Sequence, residues 1–201
     1  MVIMVRQPSI NAQNRPPLTI ERIIEAALAI VDGQGLGRLT MRRLGDALEV
    51  EAMAIYHHLP RGKEQLLDGL VAHVAVAPAA AAPGAAEWRD ALRRWAVAYR
   101  ERLLEHAGVL PLLVTRRNPA ALASTAASLR ELIHRGGVPD DAASVAAHTL
   151  LAFVIGHVAL EVRGTGDDGA TTAAAAGPDG PVDWQARFTT ALDQIMAAVA
   201  P

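Results

Sequence analysis

The sequence predicts an all-α protein, and three observations predict it. Apolar residues recur at three- and four-residue intervals from Thr19 to Val199, no segment alternates apolar and polar residues over a strand's length, and the breaks fall at Gly and Pro. The pattern divides into an arm at 1–17, a helical unit at 18–76 and a larger helical unit at 87–201.

Thr19 caps a first helix in which Ile20, Ile23, Ile24, Ala27, Leu28 and Val31 share one face, and Gly33 and Gly35 stop it. Thr40 caps a second, shorter helix with Met41, Leu44 and Leu48 inward. Val50 and Glu51 turn the chain tightly into a third, at 52–58. Leu59-Pro60-Arg61-Gly62 ends that one, and a fourth follows at 63–75 on the stripe Leu66, Leu67, Leu70, Val71 and Val74. The Ala/Pro stretch at 78–86 is a composition break and reads as a linker. Beyond it, helices are predicted at 88–107, 119–135, 140–162 and 184–199, with a short apolar piece at 110–114 and an aperiodic loop over 163–182.

Composition narrows the function classes. The 201 residues include no cysteine, so disulfides and thiolate chemistry are excluded, as suits a reducing cytoplasm. MVIMVRQPS lacks the apolar run of a signal peptide, and the longest apolar region, before Glu161, carries His148, Thr149, Gly156 and His157, as a buried helix rather than a membrane span would. Formal net charge is −2, and residues 1–75 hold eight basic against eight acidic side chains. Any nucleic-acid contact must therefore come from a few placed groups.

Two short helices joined by a tight turn and braced by a longer one form a helix-turn-helix, whose second helix enters the DNA major groove. On this reading Leu44, Leu48, Val50 and Ile55 pack inward, while Ala52, Met53, Ala54 and His57 face base edges. Thr40, Tyr56, His58 and Lys63 lie within reach of phosphates, helped by free amides at the helix starts. The plainer alternative is that Tyr56 and His58 only cover the core's edge. RLTMRRLGDALEVEAMAIYHHLPRGKEQLLDGL closely resembles the DNA-binding region of tetracycline-repressor-like (TetR-family) regulators, through Leu39-Thr40, Arg42-Arg43, the Val50 turn, Ile55-Tyr56-x-His58 and Lys63-Glu64-x-Leu66-Leu67. The resemblance covers about 18–75 and implies that Thr40, Tyr56, His58 and Lys63 clamp phosphates. It further implies that Arg42, with Arg43 beside it, and Ala52, Met53, Ala54 and His57 face the bases. The turn at Pro60–Gly62 is one residue longer than in the family's tetracycline-binding members.

The 140–162 segment is apolar nearly all round, so two surfaces must cover it. Paired with 184–199 it suits a four-helix bundle made by two subunits, and the resemblance implies the same homodimer on a palindromic operator. A monomer with the 163–181 loop folded over this surface is the alternative.

Leu92, Trp95, Tyr99 and Leu103 share one inner face, which ordinary core packing explains. With Leu112, Thr115, His148 and His157 nearby they also suit an apolar effector pocket carrying a few orienting groups. Leu112 stands where the family's tetracycline-binding members have a metal-binding His, and Trp95 where they have a pocket Asn. These departures imply a larger apolar or aromatic effector rather than a magnesium–tetracycline, and no metal or other cofactor. His157 and Glu161, at i and i+4, read as a buried hydrogen-bonded pair before a metal site.

Catalytic patterns are missing. GQGLG at 33–37 follows a helix, not the strand a dinucleotide site needs. RGK at 61–63 lacks the flanking residues of a phosphate loop, and no Gly-x-Ser-x-Gly elbow occurs. The expectation is a non-enzymatic, ligand-responsive, DNA-binding repressor. A helical adaptor that binds protein partners through 139–199, without specific DNA binding, is the competing reading.

Overall fold

A computed structural model describes residues 16–76, 87–115, 119–165 and 182–199, and among them the chain forms nine α-helices and no strand. The expected linker at 78–86 lies outside the described residues, as do 1–15 of the arm and 166–181 of the loop.

Helix α1 (Ile20–Gln34) starts on Thr19, whose hydroxyl oxygen accepts from the Arg22 amide at 3.3 Å. It runs through Gly33 and stops at Gly35. Helix α2 (Met41–Leu48) starts the same way, Thr40 Oγ1 accepting from the Arg43 amide at 3.1 Å. The chain leaves α2 through Glu49 in the left-handed conformation (φ 56°), and the Val50 amide returns to the Gly45 carbonyl at 2.9 Å. Gly45 is what lets the next helix come so close: a Cβ there would lie 2.8 Å from the Val50 carbonyl oxygen. Helices α3 (Ala52–His58) and α4 (Lys63–Ala75) complete the unit. Ile23, Leu39, Leu44, Ile55, Leu59 and Leu66 are fully or almost fully buried between the four helices.

The second unit comprises α5 (Trp88–Glu105), α6 (Leu110–Thr115), α7 (Pro119–Arg135), α8 (Asp140–Thr165) and α9 (Trp184–Ala198). Helix α5 ends two residues short of the expected 107, and a 3-10 turn, Ala107–Val109, follows it. Helices α7 and α8 pack together across the Gly136-Gly137 turn, α5 lies against both, and α9 packs on α8. Helix α8 continues three residues beyond the expected end at Val162, because Gly164 is buried and the Thr165 hydroxyl donates to the Glu161 and Val162 carbonyls at 3.1 and 3.3 Å. Residues 163–165, assigned to the loop from sequence, are therefore helical.

Helix α8 is long and apolar enough to cross a membrane by length and composition alone. One of its faces belongs to the core of the second unit. Ala143, Ala147, Leu150, Val154, Val158 and Glu161 are buried at helical spacing. On the opposite face Val145, Thr149, Ala152, Gly156 and Leu160 repeat the spacing and are exposed, Val145 at 67% and Leu160 at 58%. An apolar groove of about 530 Å³ continues this outer face between α8 and α9, lined by Val138, Val145, Ala146, Ile195 and Val199 among others.

The two units share one continuous core, and polar ties pin the C-terminal end of α4. The last carbonyls of a helix have no partner within it. Here Arg102 of α5 donates to the His73 carbonyl at 2.6 Å, and the Thr125 hydroxyl of α7 donates to the Ala75 carbonyl at 2.8 Å. His106, beyond α5, lies 2.9 Å from the Asp32 carboxylate of α1.

Candidate DNA interface and effector core

The α3 surface follows from its periodicity. Ile55 is fully buried and anchors the helix, so residues around it turn outward: Met53 is 67% exposed and His57 is exposed, while Ala52, Ala54 and His58 are half-buried shoulders. Thr40, Arg42, Arg43 and Lys63 are exposed as well. Thr40 does two jobs, because its oxygen caps α2 while its O–H is left to donate. Tyr56 is 39% exposed and its ring lies over Gly62, where a Cβ would come within 2.7 Å of Cε1. Gly62 (φ 58°, ψ −131°) caps α4 by backbone alone, with no side-chain cap. The first intrahelical bond of α4 is Leu66 N–H to the Gly62 carbonyl at 3.1 Å, which leaves the preceding amides to attract an anion. One rim thus gathers Tyr56, Lys63 and a helix N-terminus, chemistry that fits a phosphate.

In the second unit Leu92, Trp95, Tyr99, Leu103 and Leu112 are buried, and Trp95 and Tyr99 stack at 5.0 Å between ring centroids. Burial pushes the Tyr99 phenol up to about 12. Thr115 and His148 do not join them. Thr115 is exposed near the end of α6 and its hydroxyl donates to the Pro111 carbonyl at 2.7 Å; His148 lies on the outer side of α8, its ring nitrogen 2.8 Å from the Ser144 carbonyl. The sequence sets both beside the pocket, but on their helices they turn to solvent, and each satisfies its polar atom within its own turn.

His157 is half-buried against α9, with Phe153, Trp184 and Phe188 ring centroids at 5.6, 5.7 and 5.2 Å. Its Nε2–H donates to the Trp184 carbonyl at 3.2 Å, and burial lowers its pKa. The expected hydrogen bond to Glu161 is not formed, since the atoms are 3.9 Å apart. Glu161 is held instead by Arg100, through Nε at 3.0 Å and Nη2 at 2.6 Å, and Arg100 Nη1 donates to Gln185 at 2.6 Å. This buried pair, spanning α5, α8 and α9, went unrecognised from sequence. Its signals were an Arg inside the buried stripe of α5 and an acid on an otherwise apolar helix.

Comparison with known proteins agrees with both halves. Residues 23–70 match the model of bacterial regulatory proteins of the tetR family, and residues 80–198 match that of the tetracyclin repressor-like C-terminal domain. An HTH-type transcriptional regulator of Saccharopolyspora erythraea is 30% identical, over 96% of this chain and 89% of that one. The class A tetracycline repressor of Escherichia coli is 33% identical, over 73% of this chain and 68% of its own length. Among solved structures, the Streptomyces coelicolor TetR family protein ActR in complex with (S)-DNPA aligns at a TM-score of 0.69 and 25% identity, covering 92% of this chain and 98% of that one.

Proposed function

Because the chain belongs to the tetR family of bacterial regulatory proteins and is a DNA-binding transcriptional regulator, we propose that it works in the cytoplasm as a homodimeric repressor, released from a palindromic operator by a small apolar or aromatic effector. The observation that carries this reading is the helix-turn-helix itself, with Met53 and His57 turned to solvent beside the uncapped start of α4. The effector is received by the second unit around Leu92, Trp95, Tyr99, Leu103 and Leu112, with His157 on the α9 side. No catalytic step is part of the reading.

Anisotropy of the protein against DNA flanking its own gene, beside random DNA at one fixed salt concentration, tests it. A preference of roughly 10³ or more is expected, with two protomers per site. Equal weak binding to both would favour an adaptor instead. Arg42 carries most of the hydrogen-bonding capacity near the bases, since Ala52, Met53 and Ala54 offer thymine-methyl and shape contacts. Arg42→Ala is therefore expected to lower discrimination by about 1–3 kcal/mol, roughly ten- to hundredfold, in the same assay.

The outer face of α8, with Val145, Ala152, Gly156 and Leu160, and the groove beside α9 are the surface a second copy covers. Small residues there allow close helix approach. The double variant Val145→Asp, Leu160→Asp is expected to sediment as a monomer and to bind the operator about 10²-fold more weakly, because the second half-site contact ceases to be intramolecular. A dimer of undiminished stability would place the interface elsewhere.

A further inference from the structure

Buried polar atoms normally have a partner, so those without one mark places where something else supplies it. Among the described residues, Tyr99 Oη and Arg102 Nε are both buried without a hydrogen-bond partner. Tyr99 is fully buried, and Arg102 follows it at i+3 on α5, where side chains share a face. Both atoms carry a proton to donate: burial keeps the phenol neutral, and Arg102 is a permanent cation. An acceptor is what this face of α5 lacks. Trp95, stacked on Tyr99, supplies a flat apolar wall beside the phenol. The far end of the same Arg102 guanidinium holds the His73 carbonyl at the C-terminal turn of α4.

We propose that the effector is an aromatic carboxylate whose oxygens accept from Tyr99 Oη–H and Arg102 Nε–H, and that Arg102 couples its binding to α4 through the His73 carbonyl. This rests on the effector reading above and adds to it the chemistry of the ligand and the residue that links the core to the DNA-binding unit. The anion pairs with a cation already in place, and drawing the guanidinium toward it loosens the tie that seats α4.

The test begins without ligand. Tyr99→Phe removes an unpaired buried hydroxyl and is expected to raise the thermal midpoint of the full chain; a lower midpoint would mean the hydroxyl has a partner in solution and would overturn the proposal. Tryptophan quenching then compares 2-naphthoate with 2-methylnaphthalene, the same ring system without an acceptor. The wild type is expected to bind 2-naphthoate at least tenfold more tightly, and Tyr99→Phe to cut that preference below threefold. Equal binding of both compounds would overturn the carboxylate while leaving an apolar effector core standing. Binding of neither would remove both readings. Arg102→Gln lacks the tie to the His73 carbonyl, so it is expected to keep 2-methylnaphthalene binding, to bind operator DNA more weakly than the wild type without ligand, and to show no further release on adding 2-naphthoate. Release matching the wild type's would overturn the link through Arg102.

Discussion

Arg100→Leu is expected to destabilise the protein by about 3–5 kcal/mol, read as a lower urea midpoint, because it leaves the buried Glu161 carboxyl without the guanidinium that compensates it. Both residues are only 8% exposed, and the guanidinium makes three hydrogen bonds that tie α5 to α8 and α9. Removing its charge strands the carboxylate and frees Gln185 at once. Glu161→Leu strands the arginine and belongs in the same range. The double variant Arg100→Leu, Glu161→Leu is expected to recover most of the loss, since an apolar pair fills the space beside Phe188 without a buried charge. If the double variant were as unstable as the sum of the singles, the two side chains would be acting independently and the pair would be no unit. Such a recovery would mean that the bridge fixes which faces of α5, α8 and α9 meet more than it adds stability, and so keeps the opposite face of α8 turned outward.

What could be read from sequence and what could not divides along the range of the signal. Helix α2 begins, and helices α3, α4 and α7 begin and end, where expected because their signals are local: Thr40 as the cap of α2, Pro60 and Gly62 as a break, Gly136-Gly137 as a stop. The end of α8 was misjudged because Gly164 usually weakens a helix, yet here burial overrides that local preference. The same limit applies to the effector core. Periodicity identifies Leu92, Trp95, Tyr99 and Leu103 as inward-facing, but says nothing about which neighbour each one meets, and Thr115 and His148 turn out to face solvent. Arg100 and Glu161 are 61 residues apart, and Arg102 and His73 are 29 apart. Contacts at that separation depend on how helices dock, which no local pattern records. Function was legible nonetheless, since the helix-turn-helix keeps its spacing within one short stretch.

Gly62→Ala is expected to strike stability and operator binding together, for separable reasons. At φ 58° and ψ −131° the backbone occupies a region that a Cβ disfavours, at a cost of about 1–3 kcal/mol. The added methyl would also sit 2.7 Å from Cε1 of Tyr56, so the ring must swing off the turn. That displaces the phenol from the rim it shares with Lys63 and the α4 N-terminus, and operator affinity is expected to fall roughly tenfold, the order of one hydrogen bond to a charged group. Two companion variants separate the causes. Tyr56→Phe keeps the ring over Gly62 and loses only the hydroxyl, so it should weaken operator binding while leaving the urea midpoint nearly unchanged. Gly62→Asn should relieve nothing, because the left-handed conformation Asn tolerates has ψ near about +47°, far from the value here. A Gly62→Ala protein with wild-type stability but weakened operator binding would mean that the clash with Tyr56 acts alone and the backbone relaxes freely. The converse would leave Tyr56 no part in holding DNA.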